Sequence, residues 1–212
     1  MARSLKVIAL ISGGGRTVLN LLDAIERGEL AARIDLVIAS RADAEGIGRC
    51  RERGIETTVV ASRDFRKDGR PDWAAMSAAL DRVILPRKPD LALFAGYLCL
   101  YRLPAALEGR AMNIHPALLP SFGGQGLWGE KVHEAVLASG VKVSGCTVHF
   151  VANEYDAGPI IVQRTCPVLD ADTPETLAAR VFREECLAYP EAVRLYGEGR
   201  LAIRGNRVFV RR

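Results

Sequence analysis

The sequence predicts an α/β protein: a three-layer, Rossmann-like and mostly parallel sheet with an antiparallel C-terminal extension. In the first half, short apolar runs alternate with segments whose apolar residues recur at helical spacing. This alternation is typical of parallel strands joined by right-handed crossovers. The second half instead brings two strand-like runs together ahead of one long helix. We expect a single domain over residues 1–212, with an N-terminal nucleotide-binding-like half over about 1–110 and a second half over about 111–212.

Strands are predicted where β-branched and other apolar residues cluster between turn residues. The first run ends at a serine and three glycines, and the fifth ends at a proline, which lacks a backbone donor. The predicted strands of the first half are 6–11, 34–39, 56–61, 91–95 and 111–115. Those of the second half are 143–151, 160–168 and a closing hairpin of 201–203 with 207–210.

Helices are predicted between these strands from apolar periodicity and from signals at the helix ends. Gly28 and Gly54 follow the first two helices, and Pro71 lies near the start of the third. Thr173 is a candidate N-cap for the last helix, with Pro174 in its first turn. The predicted ranges are 17–26, 44–53, 72–85 and 173–196.

Composition limits the functional classes. The chain has 212 residues, of which 49% are apolar and 25% charged, as in an ordinary globular protein. No apolar run approaches the ~20 residues that span a bilayer, and no signal peptide is recognisable, so we expect no membrane association. Five scattered cysteines without a C-x-x-C pair predict reduced thiols, a cytoplasmic location and no zinc site. A net charge of +4, carried by dispersed basic residues, argues against nucleic acid as a partner.

The loop after the first strand reads Ser12-Gly13-Gly14-Gly15-Arg16-Thr17. Glycines let backbone N–H groups approach an oxyanion, and a helix N-terminus adds partial positive charge, so the loop suits a phosphate. A plain tight turn also explains these residues. No Gly-Lys-Ser/Thr follows at P-loop spacing, and Val18 stands where the dinucleotide motif has its last glycine. Arg41, after the second strand, keeps an NADP enzyme as an alternative.

Asn113 and His115 lie two residues apart in the fifth predicted strand, so their side chains point to one face. Pro116 ends that strand at the carboxyl edge, where open α/β sheets bind ligands, and an Asp156-Ala157-Gly158-Pro159 turn follows later. An amide can stabilise an oxyanion, an imidazole can donate a proton, and a carboxylate can orient the ring. Acyl transfer to an amine needs no more than this set. A hydrogen-bonded core histidine and ordinary turns explain the residues equally well.

Several segments, in order along nearly the whole chain, resemble the folate-dependent formyltransferases. Residues 113–120 resemble the signature of that family, and residues 148–151 and 155–163 resemble the segment that carries its aspartate. The segments 11–15, 40–44 and 184–190 resemble the branch of the family that formylates glycinamide ribonucleotide. Separate motifs in the right order are more specific than any one of them.

The resemblance implies the formyltransferase fold and transfer of a formyl group from 10-formyltetrahydrofolate to glycinamide ribonucleotide, two small-molecule substrates, without a metal. It implies that Asn113 binds the formyl oxygen, His115 donates a proton and Asp156 tunes His115. It assigns the substrate phosphate to Gly13, Gly14, Gly15, Arg16 and Thr17, and the ribose to Glu185. It assigns the folate to Tyr97, Leu98, Cys99, Leu100, Ala152, Asn153, Tyr155 and Asp156. A homodimer is compatible with the resemblance, but the oligomeric state is not determined by it.

Three departures from the family pattern bear on these roles. Gly14, Arg16 and Thr17 replace polar positions of the usual Gly-Asn-Gly-Ser-Asn loop. Cys99 stands where an arginine is usual, so backbone contacts are expected there. The segment 121–129 is longer and richer in glycine than usual, which favours a lid and a surface loop equally.

The other two histidines are expected to be structural or exposed, and three other functions are kept as alternatives. We expect His133 to be exposed at the start of a helix, and His149 to pack structurally within a strand. A 10-formyltetrahydrofolate hydrolase, which hands the formyl group to water, is the nearest alternative function. Formylation of another amine is the second, and a catalytically silent nucleotide-binding protein is the alternative outside the enzymes.

Overall fold

Strands and helices alternate along the first part of the computed structural model, which describes residues 4–211 of the chain. The chain divides into two units, Met1–Met112 and Asn113–Arg212. The predicted fold class is confirmed: a mostly parallel sheet has helices on both sides and an antiparallel pair of strands toward the C-terminus. A single domain over 1–212 stays a prediction.

The first unit contains the predicted alternation. Its elements are β1 (Leu5–Ile11), α1 (Arg16–Glu26), β2 (Ala32–Ala39), α2 (Gly46–Glu52), β3 (Thr57–Val59), β4 (Arg66–Lys67), β5 (Arg70–Pro71), α3 (Trp73–Ile84) and β6 (Leu91–Phe94). Strands β3, β2, β1 and β6 are neighbours in that order and pair in parallel, whereas β4 and β5 form a short antiparallel hairpin. The second predicted helix is shorter than expected because residues 45 and 53 adopt turn conformations, and the third predicted strand is reduced to its central residues, 57–59.

Strand register brings the carboxyl ends of the parallel strands to one edge. Ile11 of β1 lies opposite Ala39 of β2, and Ala39 lies opposite Val59 of β3. β1 is buried along nearly its whole length, as expected for a strand covered on both faces. The loops that follow β1, β2 and β3 therefore lie along the same edge, and the glycine loop is the first of them.

The second unit begins within β7 (Ala111–His115). It continues with α4 (Glu130–Ser139), β8 (Val143–Phe150), β9 (Ile160–Pro167), α5 (Pro174–Gly197), β10 (Leu201–Arg204) and β11 (Arg207–Val210). β8 and β9 run antiparallel, β10 and β11 form the predicted hairpin, and β11 pairs with β9 in parallel. The antiparallel extension is therefore built on the β8–β9 pair.

Helix α5 starts where the sequence predicts, because its first turn is capped from both sides. The Thr173 side chain accepts the N–H of Thr176, and the Thr176 hydroxyl accepts the N–H of Thr173. This reciprocal cap satisfies two backbone donors that the helix leaves without partners. Leu177 and Val181 lie on its buried face, and the helix packs against β8 and β9.

The prediction that His133 is exposed is wrong. Its position in the first turn of α4 suggested solvent, but the residue is only 4% exposed. Val132 and Val136 are fully buried on the same helix, and His133 lies one turn before Val136 on that inward face. Helix periodicity therefore places the imidazole inside.

We expect Asp72→Ala to lower the free energy of unfolding by about 1 kcal/mol. The Asp72 carboxylate accepts the N–H of Ala75 at 3.0 Å and caps the N-terminus of α3. Urea denaturation measures the loss, with Glu108→Ala, an exposed carboxylate outside the α-helices, as the control. Equal stability of the two variants would contradict a capping role.

Candidate active site

The three side chains predicted to act together lie within one cluster of the second unit. The Asn113 Nδ2 donates to Asp156 Oδ1 at 3.2 Å, and His115 Nδ1 lies 3.5 Å from Asp156 Oδ2. Asn113 and His115 share one face of β7, as their spacing predicts, and Asp156 follows β8 in the loop before β9. One carboxylate thus contacts both the amide and the imidazole.

Both hydrogens of the Asn113 amide nitrogen have acceptors. One is directed to Asp156 Oδ1, and the other to His149 Nε2 at 3.1 Å. The carboxylate determines the amide orientation, because an amide oxygen in that place would face a negative charge. Any further acceptor at Asn113 must therefore replace one of these two.

His149 is a member of the cluster that the sequence analysis assigned only to structural packing. It is 2% exposed, and its Nε2 also lies 3.7 Å from Asp156 Oδ1. Its Nδ1 lies 2.8 Å from the Phe150 carbonyl, which can only accept, so Nδ1 carries a hydrogen. Nε2 is then the nitrogen that accepts from Asn113.

The alternation of side chains along β8 is the sequence signal that could have indicated a hydrogen-bonding role for His149. Thr147 and His149 alternate with Cys146, Val148 and Phe150 in a strand that is buried on both faces. A polar side chain on a covered strand must find a hydrogen-bond partner. Thr147 finds its partners in the backbone of the segment after β7, donating to Ala117 O and accepting from Leu119 N, and His149 finds its partner in Asn113.

Burial and charge act on His115 in opposite directions. Burial lowers the pKa of His115, the nearby His149 lowers it further, and the Asp156 carboxylate together with the Phe122 carbonyl raises it. The net shift is downward. The ring Nε2 donates to the Phe122 carbonyl at 2.8 Å. If both ring nitrogens carried a proton, Nε2 would face the Phe122 carbonyl and Nδ1 would face the Asp156 carboxylate. Asp156 is therefore the main group that stabilises the imidazolium form of His115.

The pKa of Asp156 is shifted downward. Burial by itself raises it, but contact with His149, the charge of His115 and the Gly124 N–H together hold the pKa below its usual value. The Gly124 N–H donates to Oδ2 at 3.0 Å. Asp156 is therefore an ionised carboxylate that is mostly buried, with its side chain 11% exposed.

Residues 122–124 of the glycine-rich segment form part of the wall around this cluster. Phe122 O binds His115, and Gly124 N binds Asp156. Gly123 between them has no room for a side chain, since a Cβ there would lie 2.4 Å from Leu119 Cδ2 and 3.3 Å from Asp156 Cβ. This part of the segment is therefore more than a detached surface loop, while its movement as a lid stays a prediction.

The predicted phosphate loop lies in the first unit, between β1 and α1. Gly15 has a left-handed backbone with φ of 70° and precedes the first residue of α1, whose N-terminus has no side-chain cap. Ser12 anchors the loop from below, with its Oγ 2.6 Å from Ser40 Oγ and accepting the Leu98 N–H at 2.9 Å. Gly13 and Arg16 are exposed, whereas Gly15 is buried. A ligand can therefore reach the loop at Gly13, whereas Gly15 is held in the interior.

The segments assigned to the folate and the ribose are placed as follows. Tyr97 and Cys99 are buried, Leu98 is 40% exposed, and Leu100 is half-buried in the segment after β6. In the second unit, the loop residues after β8 are half-buried to exposed: Ala152, Asn153 and Tyr155. Glu185 lies in the middle of α5 and is half-buried. Burial raises the pKa of the Cys99 thiol and favours its neutral form, and neither form of a thiol replaces the positive charge of the arginine usual at that position.

Comparison with known proteins identifies the family. A formyl transferase family model matches residues 5–193, so the chain belongs to the formyl transferase family. A chloroplastic phosphoribosylglycinamide formyltransferase of Vigna unguiculata is 39% identical over 97% of this chain, which spans 65% of that relative's length. The phosphoribosylglycinamide formyltransferase of Escherichia coli K12 is 32% identical, with 95% of this chain and 92% of that relative covered.

Solved structures agree with the sequence relatives. The glycinamide ribonucleotide transformylase 1 of Symbiobacterium toebii superposes with a TM-score of 0.90 at 40% identity, covering 100% of this chain and 96% of that one. A formyltetrahydrofolate deformylase of Pseudomonas syringae shares the fold, with a TM-score of 0.84 at 24% identity over 67% of its length. The fold is thus common to transferase and deformylase relatives.

Within residues 4–211, no three His, Cys, Asp or Glu side chains are arranged to hold a metal ion. In the same range, no helix combines the length and the apolar content that crossing a bilayer requires.

We expect Gly158→Ala to lower the free energy of unfolding by roughly 1–3 kcal/mol, because an added side chain has no space. A Cβ at Gly158 would lie 1.7 Å from the carbonyl oxygen of Phe150, where the loop carrying Asp156 closes between β8 and β9. Gly48→Ala in α2 is the matched control, because a Cβ there meets nothing within 4 Å. Urea denaturation of both variants measures the difference, and a Gly158→Ala protein as stable as the control would contradict the close approach.

Proposed function

We propose that this chain transfers the formyl group of 10-formyltetrahydrofolate to the amine of glycinamide ribonucleotide, a step of purine biosynthesis. The observation that carries the proposal is the contact of Asp156 with both Asn113 and His115 at the end of β7. Membership of the formyl transferase family and relatives named for this activity support the same substrates.

The reaction requires one new bond, one broken bond and one relocated proton. The substrate amine attacks the formyl carbon, and a carbon–nitrogen bond forms while the formyl oxygen gains negative charge. The bond from that carbon to N10 of the folate then breaks. The attacking nitrogen loses a proton and N10 gains one, so tetrahydrofolate leaves. No enzyme nucleophile is needed, because the substrate supplies it.

Asn113 stabilises the developing oxyanion in this proposal. A donor aimed at the position where charge develops typically contributes a factor of about 10²–10³ to kcat. Since both amide hydrogens have acceptors in the structure, the formyl oxygen replaces one of them. The bond to Asp156 is charge-assisted and therefore the stronger one, so His149 is the acceptor that is displaced.

His115 passes the proton in this proposal, and Asp156 makes that role compatible with a buried site. Burial alone disfavours the imidazolium, whereas the carboxylate 3.5 Å away favours it. The carboxylate itself stays ionised because its pKa is lowered. The pair thus combines an ionised acid with an imidazole that can hold a proton for transfer to N10.

The residues that bind the phosphate, the ribose and the folate are assigned from the resemblance to the family. The phosphate binds the N–H groups of the glycine loop, at Gly13 to Thr17, and the ribose hydroxyls bind Glu185. The folate binds residues 97–100 and the loop from Ala152 to Asp156. We retain a cytoplasmic location as a further prediction from the sequence, and a homodimer stays compatible with the proposal.

A 10-formyltetrahydrofolate hydrolase is the second candidate, because the same cluster can direct water instead of an amine. A deformylase relative shares the fold. The discriminating experiment supplies 10-formyltetrahydrofolate with glycinamide ribonucleotide, with water alone and with a different primary amine, and follows the absorbance of the released folate. Release that depends on the ribonucleotide supports the proposal. Equal release of folate in water alone would show a 10-formyltetrahydrofolate hydrolase instead. Equal release with the other amine would show that glycinamide ribonucleotide is not the specific acceptor.

We expect His115→Ala to lower kcat by at least about a hundredfold, since general acid–base help contributes roughly 10²–10⁴. Steady-state assays at saturating concentrations of both substrates measure the loss. A normal melting temperature of the variant separates lost chemistry from unfolding. Turnover close to that of the wild type would remove His115 from the mechanism.

We expect Asp156→Asn to move the alkaline limb of the kcat–pH profile to lower pH. The carboxylate raises the pKa of His115, so its removal lowers that pKa further. A proton donor acts below its pKa and is lost as pH rises through it, so activity disappears at a lower pH. Asp170→Asn, on an exposed carboxylate bound to Lys142, is the control. Coincident limbs in wild type and Asp156→Asn would refute the pairing.

A further inference from the structure

We propose that Arg49 is a positioning residue of the phosphate loop, which orients the peptide groups between Gly13 and Gly15. The inference rests on the proposed function, because it concerns how that loop receives the ribonucleotide phosphate. Arg49 lies on α2, outside the sequence motifs from which the site was predicted. It acts on the substrate through the loop backbone.

Two consecutive carbonyls of the loop are held by α2. The Gly46 N–H donates to Gly13 O at 3.1 Å, and Arg49 Nη1 donates to Gly14 O at 3.0 Å. Gly46 also packs directly on the loop, since a Cβ at Gly15 would lie 3.0 Å from Gly46 Cα. The backbone of the loop is therefore fixed on the side that faces α2.

Fixing those carbonyls also fixes the N–H groups on the opposite side. In a planar trans peptide the C=O and the N–H of the next residue point in opposite directions. The N–H groups of Gly14 and Gly15 are thus turned away from α2. Within residues 4–211 neither donates to a backbone carbonyl. Successive N–H groups turned to one side form the kind of nest that binds phosphate oxygens.

The absence of a side chain at Gly14 leaves Arg49 room for its close approach to the loop. A Cβ at this position would lie 3.3 Å from Arg49 Nη1, which is tighter than an ordinary contact. The usual loop of the family has an asparagine here, so this chain exchanges a polar loop side chain for a guanidinium from the neighbouring helix. Glu45 accepts from the other end of the guanidinium at 2.8 Å and holds it in place. Gly14 and Arg49 therefore work as a pair.

The test is Arg49→Gln, with Arg49→Lys as the conservative variant and Arg51→Gln as the matched control. Arg51 lies on the same helix and binds Thr57 Oγ1, away from the loop. We expect Arg49→Gln to raise KM for glycinamide ribonucleotide about five- to tenfold, which is less than a charged hydrogen bond to the substrate itself contributes, because Arg49 acts through the loop. We expect kcat and the KM for the folate to change less than about twofold, because the reacting cluster is untouched.

Two further readouts separate positioning from general stability. The backbone amide resonances of Gly14 and Gly15 should shift in Arg49→Gln and stay in place in Arg51→Gln. Arg49→Lys, which retains a cationic donor, should recover part of the affinity. An unchanged KM for the ribonucleotide in Arg49→Gln, or an equal rise in Arg51→Gln, overturns the proposal.

Binding of ribose 5-phosphate, measured by calorimetry, makes this test independent of catalysis. A wild-type protein that binds ribose 5-phosphate but transfers no formyl group would refute the proposed function, while weaker binding by Arg49→Gln would still support the role of Arg49. Normal formyl transfer with equal ribose 5-phosphate affinity in wild type and Arg49→Gln would refute the inference alone.

Discussion

Asp156 carries a negative charge in a place that is largely closed to water, and that charge has to be offset by donors. The Asn113 amide and the Gly124 N–H donate to it, and the rings of His115 and His149 lie within 3.7 Å of its oxygens. An ionised carboxylate without such partners would cost several kcal/mol or would take up a proton. The cluster is therefore arranged around one carboxylate, and Asn113 is the member of the proposed reactive pair that donates a hydrogen bond to it.

The backbone around Asp156 is built for this placement. Asp156 itself adopts a left-handed conformation with φ of 55°, which aspartate tolerates better than most residues. Gly123, in the segment after β7, and Gly158, two residues after Asp156, both lack space for a side chain. At each of them an added Cβ would meet an atom closer than van der Waals contact allows. The positions around the carboxylate are therefore limited by space as well as by charge.

The two units meet their ligand requirements in different ways. In the proposed function, side chains of the second unit carry the chemistry and the sheet sets their spacing. In the first unit, the glycine loop offers backbone N–H groups, and α2 determines which way these point through Gly46 and Arg49. In the proposal, a loop of three consecutive glycines binds phosphate in this way, through its peptide groups.

Much of this protein follows from its sequence. Periodicity and end signals predicted the alternating strands and helices, since burial of an apolar face and the capping of helix ends are local requirements. The spacing of Asn113 and His115 predicted that both face one side of β7. The resemblance predicted Asp156 as their partner, and the structure brings the three together.

Other features were decided only by the tertiary structure. His133 is buried because the rotation of α4 turns it inward with Val136, which its place near a helix start did not indicate. His149 reaches Asn113 because neighbouring strands align the two side chains, and Arg49 reaches Gly14 because α2 packs on the loop. The Asn113–His149 and Arg49–Gly14 contacts each join residues more than thirty positions apart. Local sequence determines what a segment can form and which groups it carries, whereas the partners of those groups depend on packing between segments distant in the chain.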